Sequence, residues 1–148
     1  MHDTIALQRL AAGAALPRRA TAGAFGYDLA VLEAETVGPR ETRILATGFR
    51  LARDLPASPE AGLAMLILPR SSLSLKYGLI LPNSPGLIDA DYAGPIGIIV
   101  HNLGEAPVRL AAGTRIAQAV FVELRLPAVQ AVEDTDPSRR RGGFGSTG

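Results

Sequence analysis

The sequence predicts an all-β fold, and three observations lead to that prediction. Glycine and proline, 16 and 11 of the 148 residues, interrupt the chain about every ten residues. Short apolar or alternating segments lie between these interruptions. No sustained helical period of apolar residues appears. Many short strands at such spacing are typical of a β-sandwich or a β-barrel, and a chain of this length is most simply one domain.

Six segments are predicted to be strands: residues 43–53, 62–68, 78–81, 96–100, 106–110 and 116–124. One short helix is predicted over Ser71–Tyr77, directly after Pro69. The run at 98–100 is continuously apolar and β-branched, which predicts a strand buried on both faces. Near Val132 the composition changes to acidic residues, proline and arginines. We therefore expect a β domain over residues 1–132 and a flexible C-terminal arm over residues 133–148.

The composition excludes several classes of function. A net charge of +1 gives no strong positive potential for binding nucleic acid, so no nucleic-acid partner is expected. The chain has no cysteine and only two histidines, which argues against a disulfide framework, a thiol nucleophile or a structural metal cage. Gln8 and Arg9 interrupt the N-terminal apolar run, so neither a signal peptide nor a membrane partner is expected, and the expected location is the cytoplasm.

The strands also suggest a partner chain. They are apolar, with few polar alternations, yet aromatic residues make up only 5% of the sequence, which is low for a large β core. One sheet face is therefore expected to be covered by another chain.

A first candidate site follows the strand at 62–68. Arg70, Ser71 and Ser72 stand where a strand ends and a helix begins. Amides at a helix start, two hydroxyls and a guanidinium together can bind an anion. Taken alone, the same residues also fit an ordinary helix start with Ser71 or Ser72 as the N-cap.

A second candidate site is the acidic segment at 86–94. If the segment is extended, Asp89 and Asp91 point to the same side and Tyr92 to the other. A carboxylate there could act as a general base for a water molecule. The alternative is a polar turn in which aspartate and glycine serve the backbone.

Two further segments carry polar groups between apolar neighbours. Asp28 is an isolated acid with a buried pattern around it, and Gln118 follows Arg115 on an alternating strand. An edge strand with outward polar residues explains the second pattern equally well.

The C-terminal segment RRRGGFGSTG cannot pack into a core, because glycine loses the most backbone freedom on ordering. It nevertheless contains what could close over a nucleotide: arginine forks for phosphates, glycine amides, and one aromatic ring for stacking. A frayed terminus and an RNA-binding tail are the alternatives, although an RNA-binding tail would normally repeat the motif.

In order, the segments GYDL, PRSSL, GLIDADYAG, RIAQ and RGGFGSTG resemble the five motifs of the trimeric deoxyuridine triphosphatase (dUTPase) family, bacterial type. The resemblance extends from about Gly23 to Gly148. It implies a jelly-roll-like β-barrel, a homotrimer with shared active sites, and Mg²⁺-assisted hydrolysis of dUTP to dUMP and pyrophosphate. Such an enzyme keeps uracil out of DNA and supplies dUMP for thymidylate synthesis.

The resemblance also assigns residues to the reaction. Asp89 corresponds to the base that deprotonates the water attacking the α-phosphate. Tyr92 corresponds to the ring that packs under the deoxyribose and leaves no room for a 2′-hydroxyl. Asn83 corresponds to the uracil-reading amide, and backbone groups near Leu87 and Ile88 complete the hairpin around the base.

The phosphate side is assigned in the same way. Arg70, Ser71 and Ser72 correspond to the second motif, and Gln118 to an amide beside the phosphates in the fourth. Asp28 corresponds to the first-motif acid, which acts on Mg²⁺ through water, so no direct protein ligand to the metal is expected.

In the tail, Arg139 corresponds to the arginine for the γ-phosphate and Phe144 to the aromatic that covers uracil. Arg140 and Arg141 depart from the family pattern, so any of the three arginines could contact the γ-phosphate. Two other readings stay open. One is a dCTP deaminase-like enzyme on the same fold, which typically lacks this tail, and the other is a nucleotide-dependent regulatory trimer.

Overall fold

The computed structural model describes residues 4–133 and Ser138, and this part of the chain contains eleven strands and one helix. The strands are β1 (Leu7–Arg9), β2 (Arg18–Arg19), β3 (Tyr27–Ala30), β4 (Glu35–Val37), β5 (Thr42–Leu51), β6 (Ala61–Pro69), β7 (Leu79–Ile80), β8 (Gly86–Ile88), β9 (Pro95–Asn102), β10 (Val108–Leu110) and β11 (Arg115–Arg125). The helix, α1, spans Ser71–Tyr77.

Two antiparallel sheets form the body of the protein. A four-stranded sheet has the order β1-β5-β9-β7, and a five-stranded sheet has the order β2-β3-β11-β6-β8. A two-stranded ribbon pairs β10 with β4. Side chains from both sheets form one apolar core, which includes Leu45 of β5, Ile98 of β9, Leu29 of β3 and Met65 of β6. The expected all-β, jelly-roll-like fold with one short helix is confirmed.

The longer predicted elements are present. The helix has the predicted bounds because Pro69 precedes it and Gly78, in the left-handed conformation at φ 64°, ends it. The segment predicted at 106–110 forms a strand only over Val108–Leu110. Five strands were not predicted from the sequence: β1, β2, β3, β4 and β8. Each has two to four residues, too few for an alternating pattern to stand out.

The prediction that the run at 98–100 is buried on both faces is wrong for the single chain. In β9, Ile98 and Val100 are fully buried, whereas Ile99 between them is partly exposed. The strand therefore alternates, and the face that carries Ile99 is only partly covered by the described residues.

The chain leaves the sheets after β11. Residues 126–133 have no regular structure and are all exposed, and the Leu126 amide donates a hydrogen bond to the Glu60 carbonyl at 2.7 Å. The arm boundary at residue 133 and the flexibility of the arm stay predictions, since 134–137 and 139–148 lie outside the described residues. Within the described chain, no helix is long and apolar enough to cross a membrane.

The backbone at Gly48 generates a first prediction. Gly48 has φ 78°, and a Cβ there would lie 2.6 Å from the Ala14 Cβ and 3.0 Å from the Leu32 Cδ1. Gly48→Ala adds left-handed strain to a steric clash, so we expect its free energy of unfolding to fall by about 3 kcal/mol. Urea unfolding at fixed protein concentration measures the loss.

Gly78→Ala is the matched control. Gly78 also has a positive φ, but nothing lies within 4 Å of an added Cβ. Only the strain of about 1 kcal/mol should appear there. Equal losses in the two variants would contradict the close packing of Gly48.

Candidate active site

A buried carboxylate is the centre of the first functional cluster. Asp28 lies in β3 with 8% of its side chain exposed, and its neighbour Leu29 points into the core. Alternation along the strand therefore places Asp28 on the outer face of the five-stranded sheet. The Nη1 atom of Arg70 contacts the Asp28 Oδ2, and the Nη1 atom of Arg115 donates a hydrogen bond to the same oxygen at 3.1 Å. One carboxylate thus holds two guanidinium groups.

Arg70 reaches this cluster from the end of β6. Its amide donates to the Ile116 carbonyl at 3.1 Å, which fixes the backbone beside β11. The Arg70 Nη1 is buried against the Asp28 carboxylate, whereas 27% of the whole Arg70 side chain is exposed. Asp28 therefore holds the guanidinium in place while an acceptor from outside the chain can still reach it.

The two serines of the predicted anion site begin the helix. Ser71 is its first residue, Arg70 is the N-cap in an extended conformation, and no side chain caps the helix. The alternative that Ser71 or Ser72 serves as an ordinary N-cap is therefore wrong. Both hydroxyls are without a hydrogen bond among the described residues. They stand beside amides that have no acceptor within the helix.

Gln118 completes the cluster. Its Cα is in register with both Asp28 of β3 and Leu68 of β6. Its Nε2 donates to the Pro69 carbonyl at 3.2 Å, so the amide group lies next to Arg70. Gly26 stands over the same side chain, and any Cβ at Gly26 would collide with the Gln118 Oε1. The small residue at 26 therefore keeps room for Gln118.

A second group of candidate residues surrounds strand β8. Leu87 and Ile88 belong to β8, which pairs with β6, and Asn83 lies in the exposed turn before it. A Cβ at Gly86 would lie 3.1 Å from the Asn83 Nδ2, so the amide packs against the strand. Leu87 is 54% exposed, which leaves β8 and the turn before it accessible.

The acidic segment turns after β8. The Tyr92 amide donates to the Asp89 carbonyl at 3.2 Å, so of the two alternatives for residues 89–91, an extended segment or a polar turn, the polar turn is present. Asp89 is exposed. The Tyr92 hydroxyl donates to the Pro95 carbonyl at 3.1 Å, which fixes the orientation of the ring while 41% of the residue remains exposed.

The two groups do not meet within one chain. In the pairing of β8 with β6, Ile88 lies opposite Met65, so Asp89 follows at the level of Ala64. Arg70 lies six residues beyond Ala64, directly after the end of β6, and its backbone is still extended. At about 3.3 Å per residue, that spacing separates Asp89 from Arg70 by about 20 Å.

No group of three or more histidine, aspartate or glutamate side chains that could hold a metal ion occurs within residues 4–133 and Ser138. The carboxylate of Asp28 already faces two guanidinium groups, and these disfavour a cation bound directly to it. The described residues therefore fit a Mg²⁺ ion that phosphate oxygens and water hold, with Asp28 no nearer than through water.

Four of the predicted site residues lie in the C-terminal tail, and one residue of the observed cluster was not predicted. Arg139, Arg140, Arg141 and Phe144 lie outside the described residues, so their roles stay predictions. Arg115 was not identified as a site residue, although its guanidinium is one of the two that hold Asp28. Its position at the start of an alternating strand did not indicate a role in the site, because its partner Asp28 is 87 residues away in the sequence.

Comparison with known proteins places the chain among relatives of one kind. Residues 12–148 match the family model described as dUTPase. The chain is 45% identical over 136 residues to the deoxyuridine 5'-triphosphate nucleotidohydrolase of Chromobacterium violaceum, covering 90% of this chain and 87% of that protein. The protein of the same description from Pseudomonas paraeruginosa is 44% identical over 143 residues, covering 95% and 91%.

Solved structures are similar to the chain over its length. The dUTPase of Staphylococcus bacteriophage 80alpha with dUPNHPP superposes with a TM-score of 0.86 at 27% identity, covering 99% of both chains. A mutant dUTPase from phage phi11 of S. aureus, which coordinates a structural Mg(II) ion, has a TM-score of 0.77 at 24% identity. The match covers 89% of this chain and 98% of the phage phi11 chain, and the two chains share the fold.

The ion pairs at Asp28 generate a second prediction. Asp28→Asn removes the charge that holds Arg70 and Arg115 together, and leaves two guanidinium groups facing each other. We expect the free energy of unfolding to fall by about 1–3 kcal/mol, less than for a fully buried pair because both arginines are partly exposed. Chemical denaturation measures the change, and Asp54→Asn, at an exposed aspartate, is the matched control.

A double-mutant cycle with Arg115→Gln isolates the interaction. The two changes together should cost less than the sum of their separate effects. Strict additivity would mean that Asp28 and Arg115 are not energetically coupled.

Proposed function

Because this chain belongs to the dUTPase family, we propose that it is an enzyme that hydrolyses dUTP to dUMP and pyrophosphate. The observation that carries the proposal is the guanidinium of Arg70, which Asp28 holds and which is partly exposed beside the hydroxyls of Ser71 and Ser72. A phosphate group supplies several acceptor oxygens in the place where these donors converge. Gln118, held at the Pro69 carbonyl, adds an amide at the same place.

In the proposed reaction, these four residues bind the phosphate chain and orient the α-phosphorus for attack. Asp89 accepts a proton from a water molecule as the water oxygen forms a bond to the α-phosphorus. The bond from the α-phosphorus to the oxygen that bridges to the β-phosphorus breaks, and pyrophosphate leaves with that electron pair. The hydroxyl of Ser71 and the guanidinium of Arg70 stabilise the negative charge that develops there.

Recognition of the nucleoside is proposed for strand β8, the turn before it and Tyr92 after it. Asn83 offers both a donor and an acceptor, which matches the edge of uracil, and backbone groups at Leu87 and Ile88 complete the contact. The ring of Tyr92 packs under the deoxyribose. Since the hydrogen bond to the Pro95 carbonyl holds that ring in place, a ribose 2′-hydroxyl meets a fixed surface.

Mg²⁺ is the proposed cofactor. Bound to the phosphate oxygens, it neutralises their charge and stabilises the charge of the leaving group. For the protein, we propose that Asp28 orients Arg70 and Arg115 at the phosphates and contacts the ion through water only. Arg139 and Phe144 are proposed to contact the γ-phosphate and the uracil ring.

We further propose a homotrimer in which each active site draws on more than one subunit. Support comes from the distance of about 20 Å between Asp89 and Arg70 along one chain, since a water molecule at the α-phosphorus must be close to both. The uncovered face of the four-stranded sheet supplies a contact surface. Ile44 there is 71% exposed and is paired in register with Ile99.

Asp89→Asn tests the chemical step. Without a base for the attacking water, we expect kcat to fall by about 100-fold or more while the affinity for dUpNHpp is unchanged. Steady-state release of pyrophosphate from dUTP measures kcat. Asp91→Asn makes the same change of charge two residues away and should keep near wild-type activity, whereas equal losses in both variants would argue against a specific role for Asp89.

Complementation tests the shared site. Asp89→Asn chains and Arg70→Gln chains, each inactive as a pure protein, are co-expressed with different tags, and trimers that contain both are purified. If a site takes Arg70 and Asp89 from neighbouring subunits, a mixed trimer of either composition regains one intact site, about a third of the wild-type capacity. Purified mixed trimers without dUTP hydrolysis would mean that each site uses a single chain.

A further inference from the structure

An apolar cavity opens between the two sheets, on the side where the edge strands β1 and β2 lie. It has a volume of about 310 Å³. Leu16 and Tyr27 lie at its mouth and are 59% and 36% exposed. Six residues, each at most 3% exposed, form its inner walls: Leu29, Thr47, Phe49, Met65, Ile96 and Ala119. The cavity therefore extends from the surface into the core.

The cavity is separate from the cluster around Asp28. Asp28 and Gln118 alternate with Leu29 and Ala119 along β3 and β11, so the two pairs lie on opposite faces of the same sheet. None of the described residues that are proposed to contact the nucleotide lines the cavity. A molecule in the cavity and a nucleotide at the cluster can therefore be bound at the same time.

The lining is suited to an uncharged ligand. None of the described residues that line the cavity carries a charge. The Thr47 hydroxyl donates a hydrogen bond to the Ile96 carbonyl at 2.7 Å and accepts one from the Phe49 amide at 3.3 Å, so its bonds are already made. An internal water molecule needs two to four polar partners, and these walls do not supply them. Water is therefore a poor occupant of this space.

Volume and ring contacts indicate the class of ligand. An apolar cavity of about 150 Å³ is large enough for benzene, so this one has room for two fused rings. The rings of Tyr27 and Phe121 pack edge to face with centroids 5.8 Å apart, and Phe49 adds a third ring to the lining. Aromatic rings pack favourably against another ring in offset or edge-to-face arrangements.

We propose that this cavity is a binding site for a small, uncharged aromatic molecule of one or two rings. The site is additional to the proposed hydrolysis of dUTP and does not depend on it. Such a ligand replaces water at the apolar walls, and it stabilises the folded chain because only the folded chain contains the cavity.

The test uses indole as the probe. The chain contains no tryptophan, so the fluorescence of indole is read without a protein background when the three tyrosines are left unexcited. Titration of indole with wild-type protein should give a saturable blue shift with a Kd on the order of 0.1 mM, as expected for a fragment of this size. Saturating dUpNHpp should leave that Kd unchanged, because the two ligands occupy opposite faces of the sheet.

Two substitutions change the cavity. Ala119→Met places a longer side chain inside it and should weaken indole at least about 10-fold, because the ligand and the side chain compete for the same volume. Leu16→Ser removes an apolar contact at the mouth and should weaken indole about 3-fold. Leu16 is exposed, so this second variant should fold even if Ala119→Met does not.

Leu103→Ser is the matched control. Leu103 is 49% exposed, lies in the loop after β9 and does not line the cavity, so its substitution should leave the Kd of indole unchanged. Thermal unfolding of every variant shows whether it is folded.

Four outcomes would overturn the site. The first is no saturable binding to wild-type protein, which would mean that another group, such as a second copy of the chain, fills the cavity. The second is displacement of indole by dUpNHpp, which would place indole at the nucleotide site. The others are an unchanged Kd in Leu16→Ser and an equal loss in Leu103→Ser.

Discussion

The pairing of β6 with β8 and β11 is the constraint that determines where the candidate site residues lie. Strand β6, Ala61–Pro69, pairs with β11 along its whole length and with β8 over residues 65–67, and this pairing keeps it extended. At one end it presents Arg70 and the beginning of α1, and near the other it faces the turn that contains Asp89. Because register fixes this spacing, Asp89 and Arg70 of one chain stay about 20 Å apart. This separation is the ground on which we propose that a site is shared between subunits.

The charges of Asp28, Arg70 and Arg115 are a second constraint on the site. A carboxylate on the outer face of a sheet would ordinarily be solvated, but here two arginines cover it and leave it 8% exposed. The carboxylate determines where the guanidinium groups point, and the surplus of positive charge suits the phosphate ligand that we propose. The same arrangement is the reason for proposing that the metal ion is held by the substrate and water and not directly by Asp28.

Much of the fold was predictable because its longer elements have local signals. Pro69 and Gly78 fix the ends of α1, and β5, β6, β9 and β11 are long enough to show as apolar or alternating runs. The short strands β1, β2, β3, β4 and β8 were not predictable, because they have two to four residues each and depend on neighbours that are remote in sequence. The site residues also divide into those with a local sequence signal and those without one. Asp89 and Arg70 stand in recognisable motifs, whereas the turn at Asp89 and the ion pair of Asp28 with Arg115, across 87 residues, arise only from tertiary structure.

The most direct measurement is a crystal structure of the protein with dUpNHpp and Mg²⁺, refined with each subunit traced independently. The account predicts that one nucleotide contacts Arg70, Ser71 and Gln118 of one subunit and that the carboxylate of Asp89 nearest its α-phosphorus belongs to another. Asp89 and Arg70 of the same subunit around a single nucleotide would contradict it.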